Sequence, residues 1–223
     1  MNIATTVRIA AQTPGGPESS DTAADSLSTP AYAECLTGLP NRIMLNWYLD
    51  YVFALPPEPH GNVAMLVIEL SDMRVMRHSF DDIVCDRFEQ ITARRIRDQA
   101  KPGHFVSRVN SGEFVFVLSR CSDREECIAI AKRIHACLET SIQVGGKEYF
   151  SSANIGIAIA DFESGSPANL FQRAQAALER ARLAGPGQHA FAEIESTESQ
   201  MCDFATDRFR DHADNDIPTH LNG

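Results

Sequence analysis

Apolar residues along the 223-residue chain fall into two kinds of run: spaced by three and four, or nearly continuous. Their alternation predicts helices interleaved with strands. After Gly38, Pro40 and Asn41, the residues Ile43, Leu45, Trp47, Tyr48, Tyr51, Val52 and Leu55 give a broad apolar face to a helix predicted over Asn41–Leu55, stopped by Pro56, Pro57 and Pro59. Trp47, the only tryptophan, is expected to pack. Asn62–Leu70 carries Val63, Met65, Leu66, Val67 and Ile68 without polar alternation, which predicts a central strand covered on both faces. Residues 73–80 predict a short helical turn. Asp81 and Asp82 then open a helix to about Asp98, with Val84, Phe88 and Ile91 at buried spacing and Arg94, Arg95 and Arg97 as cations near its C-terminus.

A hairpin follows, with strands Phe105–Val109 and Glu113–Leu118 and a tight turn expected at Asn110-Ser111, because Asn tolerates positive φ. Glu113 is the one acid in the apolar run after Gly112. It is either a site residue at the lip of a sheet or a solvated edge charge. Ser122-x-x-Glu125 reads as a capping box for a helix to about Thr140, with Cys127, Ile130, Ala131, Ile134, Cys137 and Leu138 on one face. A second hairpin is expected from Ile142–Val144, Gly145-Gly146 and a long strand Glu148–Ala160. Ser166 with Pro167 starts a helix on Leu170, Ala174, Ala177, Leu178 and Ala181 that ends at Gly185-Pro186-Gly187, and Gln188–Ala192 adds an edge strand. The order predicts one α/β domain over residues 31–193, a mixed central sheet flanked by helices. Residues 1–30, rich in Pro, Gly, Ser and Thr, predict a flexible leader in which Val7–Ala11 is a short helix or docking element. Residues 194–223 predict an acidic, polar tail with a short helix at Met201–Arg210.

Composition narrows the function classes. An apolar content of 43% supplies a core, and 30 acids against 20 bases leave a net charge of −10, which disfavours nucleic acid and anionic membrane surfaces as partners. No signal peptide or membrane span is expected, since no basic-then-apolar leader and no run of about 18 apolar residues occurs. The cysteines at 35, 85, 121, 127, 137 and 202 form no C-x-x-C pair and no zinc spacing, so reduced thiols in a cytoplasmic protein are expected.

Leu36-Thr37-Gly38-Leu39-Pro40-Asn41-Arg42 resembles, without a break, the opening signature of the GGDEF domain family, the diguanylate cyclases, which condense two GTP molecules into cyclic di-GMP. Further landmarks fall in family order: the strand ending at Glu69, the hairpin from Arg108 to Leu118, Ser151–Ala158, and Ala174-x-x-Ala177-Leu178-x-x-Ala181-Arg182-x-x-Gly185. The resemblance runs from Glu34 to Ala192. It implies a fold similar to the palm of nucleotidyl cyclases and polymerases, with the hairpin at the active-site edge.

The same resemblance locates departures. The family's Gly-Gly-Asp/Glu-Glu-Phe is here Asn110-Ser111-Gly112-Glu113-Phe114, so Gly112 stands where the family has the acid that holds metal and activates the 3′ hydroxyl. Glu69 aligns with the second metal acid, and Ser71 and Arg77 replace an Asp and the guanine-reading Asn. Asp86 is retained at the other guanine contact, Arg182 stands for the phosphate-binding Lys, and Lys101-Pro102-Gly103-His104 replaces the inhibitory Arg-x-x-Asp. Phosphoryl transfer needs metal ions and a placed nucleophile. The resemblance with these losses implies a catalytically degenerate GGDEF domain acting as a regulatory or partner-binding module in cyclic di-GMP signalling. A GTP-binding effector without turnover, or a weak cyclase using Glu113, stays open. Implied partners are another GGDEF or phosphodiesterase-domain protein, a second copy of the chain, or GTP; no cofactor is expected, with Mg if nucleotide binding is retained. Glu69 and Glu113 as metal ligands, and Asp86 and Arg182 as nucleotide contacts, compete with plain roles as edge charges, a helix acid and a helix-end cation.

Overall fold

The computed structural model describes residues 31–55, 62–71, 73–160 and 165–193. The expected leader, the three prolines after the first helix, Asp72, Cys202 and the tail with its short helix lie outside the described residues.

Chain order is α1 (Arg42–Ala54), β1 (Asn62–Leu70), α2 (Met73–Ser79), α3 (Asp82–Arg97), β2 (His104–Asn110), β3 (Glu113–Cys121), α4 (Arg124–Glu139), β4 (Ile142–Val144), β5 (Lys147–Tyr149), β6 (Ala153–Ala160), α5 (Pro167–Ala184) and β7 (His189–Phe191). The main sheet runs β2-β3-β1-β6-β7; its pairs are antiparallel except the parallel β6–β7 edge. β1 lies in the middle, and its residues Val63–Ile68 are wholly buried, as its unbroken apolar run requires. Alternate residues serve opposite faces. Leu66, Ile68, Phe116 and Ile157 pack with Phe88, Ile96, Ile134 and Leu138 of α3 and α4. Met65, Val67, Val115 and Val117 pack with Leu45, Leu49 and Val52 of α1 and Leu170, Ala174 and Leu178 of α5. The expected mixed sheet between helical layers is what forms.

α5 lies against β6 with almost no gap. A Cβ at Gly156 would stand 2.1 Å from the Ala174 carbonyl oxygen and 2.3 Å from the Leu178 nitrogen. Ala174, at the point of closest approach, is small for the same reason, and Ala177 and Ala181 are buried on the same helix. The start of α5 is fixed by Ser166, whose hydroxyl accepts the Asn169 N–H at 3.3 Å, with Pro167 in the first turn.

Four local expectations change. The β2–β3 turn is Ser111-Gly112, not Asn110-Ser111: Asn110 pairs with Glu113 in the ladder, and Gly112 takes φ 72°. Glycine adopts that conformation without cost, and Asn110 stays extended in β2. The cap of α4 sits one residue later: Asp123 accepts the Glu126 N–H at 2.8 Å, and the Glu126 carboxylate accepts the Ser122 N–H at 3.0 Å. The long strand 148–160 divides. β5 pairs with β4 in a separate two-stranded sheet, and only β6 enters the main sheet. On α1 the core side is Leu45, Tyr48, Leu49 and Val52, while Ile43, Trp47 and Leu55 are exposed. Trp47 stacks on Tyr51 at the surface. Among the described residues, no helix is long and apolar enough to cross a membrane.

The Gly156 contact generates a prediction. Gly156→Ala should lower the free energy of unfolding by about 3 kcal/mol through overpacking against a helix backbone that cannot yield. Urea denaturation measures it, and an unchanged midpoint would contradict the close approach.

Candidate functional site

The ends of β1, β6 and α5, the start of α2 and the β2–β3 turn surround a groove of about 820 Å³, whose lining includes Glu69, Arg74, Arg77, Ser111, Asn154 and Arg182. Each wall is set by a local feature. Glu69 and Asn154 are cross-strand neighbours near the strand ends, and Glu113 is the neighbour of Glu69 on the other side. Arg182 reaches the groove from the last turn of α5, where a cation suits the helix dipole.

Behind the turn lies a wholly buried carboxylate, Glu89 of α3. One oxygen accepts from Arg108 Nε at 2.7 Å and from the Gly112 backbone N–H at 2.5 Å. The other accepts from Arg77 Nη2 at 3.0 Å and the Ser111 hydroxyl at 3.3 Å. Four donors on one buried carboxylate satisfy its charge where water cannot. Arg108 also pairs with Glu34 at 2.5 Å. Burial alone would raise the Glu34 pKa. The Leu36 and Thr37 amides, the Thr37 hydroxyl and the Arg108 charge outweigh burial and leave it below the usual carboxylate value. The lead-in segment Leu36-Thr37-Gly38 is thus folded around Glu34.

Arg77 extends the network to the groove. It donates from Nε to Ser111 Oγ at 3.0 Å and from Nη2 to Asp86 at 3.2 Å, besides Glu89, with Asp82 at 3.7 Å. Burial works against its charge, but Asp86 and Glu89 overcome that and hold its pKa above the ordinary arginine value. Glu69 is gripped by Arg182, whose Nε and Nη2 meet the two carboxylate oxygens at 2.5 Å each, and Glu179 adds a second acid on Nη1. The Glu69 hydrogen bond is the main reason the Arg182 pKa lies above its ordinary value.

The structure therefore joins Glu69 to Arg182 and links Asp86 to the turn through Arg77. Glu113 faces the same side of the sheet as Glu69 but accepts from Asn110 Nδ2 at 2.6 Å and does not line the groove. Phe114 is buried in the core. Gly112 faces α2: a Cβ there would lie 2.8 Å from Met73 Cβ. The sequence reading missed Glu89. The available signal was its place on the buried stripe of α3, with Cys85 four residues before it and Thr92 and Ile96 three and seven after. An acid on such a stripe needs a cation opposite, which Arg108 supplies.

Magnesium takes oxygen ligands in near-octahedral geometry. Here Gly112 offers no carboxylate, Glu69 already carries a guanidinium on both oxygens, and no three metal-binding side chains come together among the described residues. The described side chains, as placed, do not fit a resident magnesium ion.

Comparison with known proteins agrees with this architecture. The family described as "Diguanylate cyclase, GGDEF domain" matches residues 31–188. An uncharacterised protein of Mycobacterium tuberculosis is 29% identical over 150 residues, covering 67% of this chain and 24% of that protein. The diguanylate cyclase TpbB of Pseudomonas aeruginosa is 26% identical over 170 residues, covering 76% of this chain and 39% of that protein. The crystal structure of the TpbB GGDEF domain superposes with a TM-score of 0.67 at 26% identity, covering 71% of this chain and 99% of that one. The diguanylate cyclase SiaD, solved with its activator SiaC, shares the fold with a TM-score of 0.69 at 20% identity, covering 75% and 64% of the two chains. The chain thus spans well under half the length of these curated relatives. It belongs to the GGDEF domain family, whose members include diguanylate cyclases of cyclic di-GMP signalling.

The buried network can be tested directly. Glu89→Gln keeps the volume but leaves Arg108 and Arg77 facing a neutral amide, and should cost about 3–5 kcal/mol of stability. Denaturant melts of the two proteins decide it. A loss below about 1 kcal/mol, the range of exposed pairs, would make the network peripheral.

Proposed function

We propose that this GGDEF-family chain does not convert GTP to cyclic di-GMP and acts as a regulatory, partner-binding module in cyclic di-GMP signalling. The observation that carries the reading is that each acid left from the family's site is engaged within the chain. Asp86 is held by Arg77, Glu69 by Arg182 and Glu113 by Asn110. A guanidinium on each of the first two occupies carboxylate oxygens that a metal–nucleotide complex would need. The acid that would complete the set is replaced by Gly112, seated against Met73. The core is kept complete around this altered site, which suits a domain whose surface is its product. The partner class that fits the family is another GGDEF or phosphodiesterase-domain protein.

Purified chain incubated with GTP and Mg²⁺ or Mn²⁺ should form no cyclic di-GMP, read by chromatography against an active cyclase. Turnover would overturn the reading. Heat of GTP binding without turnover would favour a nucleotide effector instead. Gly112→Asp should not create activity. Its positive φ and the contact with Met73 should instead cost about 1–3 kcal/mol of stability, measured by thermal melting, while cyclic di-GMP from this single variant would contradict the proposal.

A further inference from the structure

β3 ends and α4 begins on a pair of thiols that no part of the groove uses. Cys121 is the last residue of β3 and Cys127 lies early in α4. Both are buried and free, and their sulfur atoms are 3.4 Å apart. β3 runs away from the hairpin turn, so the thiols sit roughly 26 Å from it at about 3.3 Å per residue. Among the described residues no other two thiols touch. Cys35 is exposed, Cys85 contacts the Phe80 carbonyl and Cys137 the Ile134 carbonyl.

We propose that Cys121 and Cys127 form an oxidation site, at which a hydroperoxide closes an intramolecular disulfide between the end of β3 and the start of α4. Closing the bond requires the sulfurs to approach by roughly 1.4 Å, to the disulfide length of about 2.05 Å. The strand end has slack for this, because the β1–β3 register slips between Asn62 and Ala64, opposite Cys121 and Leu118. The same irregular end is where local opening admits a small oxidant to buried sulfur.

The two thiols have different roles. Cys121 Sγ donates to the Asp123 carbonyl at 3.1 Å, which leaves Cys127 as the donor between the two sulfurs; that contact lowers the Cys121 pKa, while it and burial push Cys127 up. The Cys121 thiolate attacks one peroxide oxygen; the O–O bond breaks, Cys121 becomes a sulfenic acid, and the departing oxygen takes the proton Cys121 lost. The Cys127 sulfur then attacks the sulfenic sulfur. The S–S bond forms, the S–O bond breaks, and hydroxide leaves as water with the Cys127 proton. In total, two thiols and one hydroperoxide give a disulfide, an alcohol (or water, from hydrogen peroxide) and water.

Trypsin cleaves after Arg120, Arg124 and Lys132, which places Cys121 in peptide 121–124 and Cys127 in peptide 125–132. Full chain treated with hydrogen peroxide, alkylated and digested without reductant should give these two peptides cross-linked, separating on addition of dithiothreitol. In Cys127→Ser the reaction should stop at the Cys121 sulfenic acid, captured by dimedone. Recovery of both peptides singly alkylated, under peroxide that has oxidised the exposed Cys35, would overturn the proposal. So would either thiol pairing preferentially with another cysteine.

Discussion

A carboxylate with no access to water must be matched by donors held in place, and Glu89 imposes this requirement on three separate segments. Its partners are Arg108 in β2, Arg77 in α2, and Ser111 and Gly112 in the turn. Through Arg108 the constraint passes to Glu34, and through Glu34 to the amides of Leu36 and Thr37. The Arg108 backbone N–H also donates to the Pro40 carbonyl. The lead-in segment, the hairpin and the two helices beside it are therefore organised around one charge. Such a network is not a large source of net stability, because ion desolvation offsets much of its attraction, but losing one member leaves the others unpaired in the interior.

The network also decides what the groove can do. Arg77 bridges the buried Glu89 and the partly exposed Asp86, so the carboxylate that the family resemblance assigns to guanine is committed to a guanidinium. On the opposite wall Arg182 takes both oxygens of Glu69. That pair is partly exposed and adds little stability, about 0–1 kcal/mol. Its consequence lies in occupancy, since both oxygens of an acid that would ligate a divalent cation are already taken. Gly112 completes the change: its N–H is spent on Glu89, its carbonyl accepts from Leu70, and Met73 occupies the space where a side chain would start.

Much of the layered fold was legible because its signals are local and redundant. β1 is an unbroken apolar run, α5 has Ser-Pro at one end and Gly-Pro-Gly at the other, and α3 opens with acids and ends with arginines. The misplaced details arose where two residues compete for one role. Asn110 and Gly112 both suit a turn, and the ladder pairing of Asn110 with Glu113 gives it to glycine. Ser122 and Asp123 both suit a cap, and the shorter path to the Glu126 amide selects Asp123. The run from Glu148 to Ala160 contains no proline and only one glycine, Gly156, so nothing in it marks the change of sheet at Phe150–Ser152. In the site, motif position singled out Glu69, Asp86 and Arg182 as candidates, but position alone does not show which cation each acid meets. Glu89 was hidden because reading a lone helical acid as solvated is usually right, and only Arg108, brought close by the fold, makes its burial sustainable.

The central claim is that the acids of the groove are taken by the chain's own cations and do not hold a metal–nucleotide complex. Electron paramagnetic resonance of Mn²⁺, titrated with the protein in the absence and presence of GTP, tests it most directly. The account predicts spectra identical to those of Mn²⁺ and Mn²⁺–GTP without protein. A protein-dependent loss of the free signal that disappears in Glu69→Gln would contradict it.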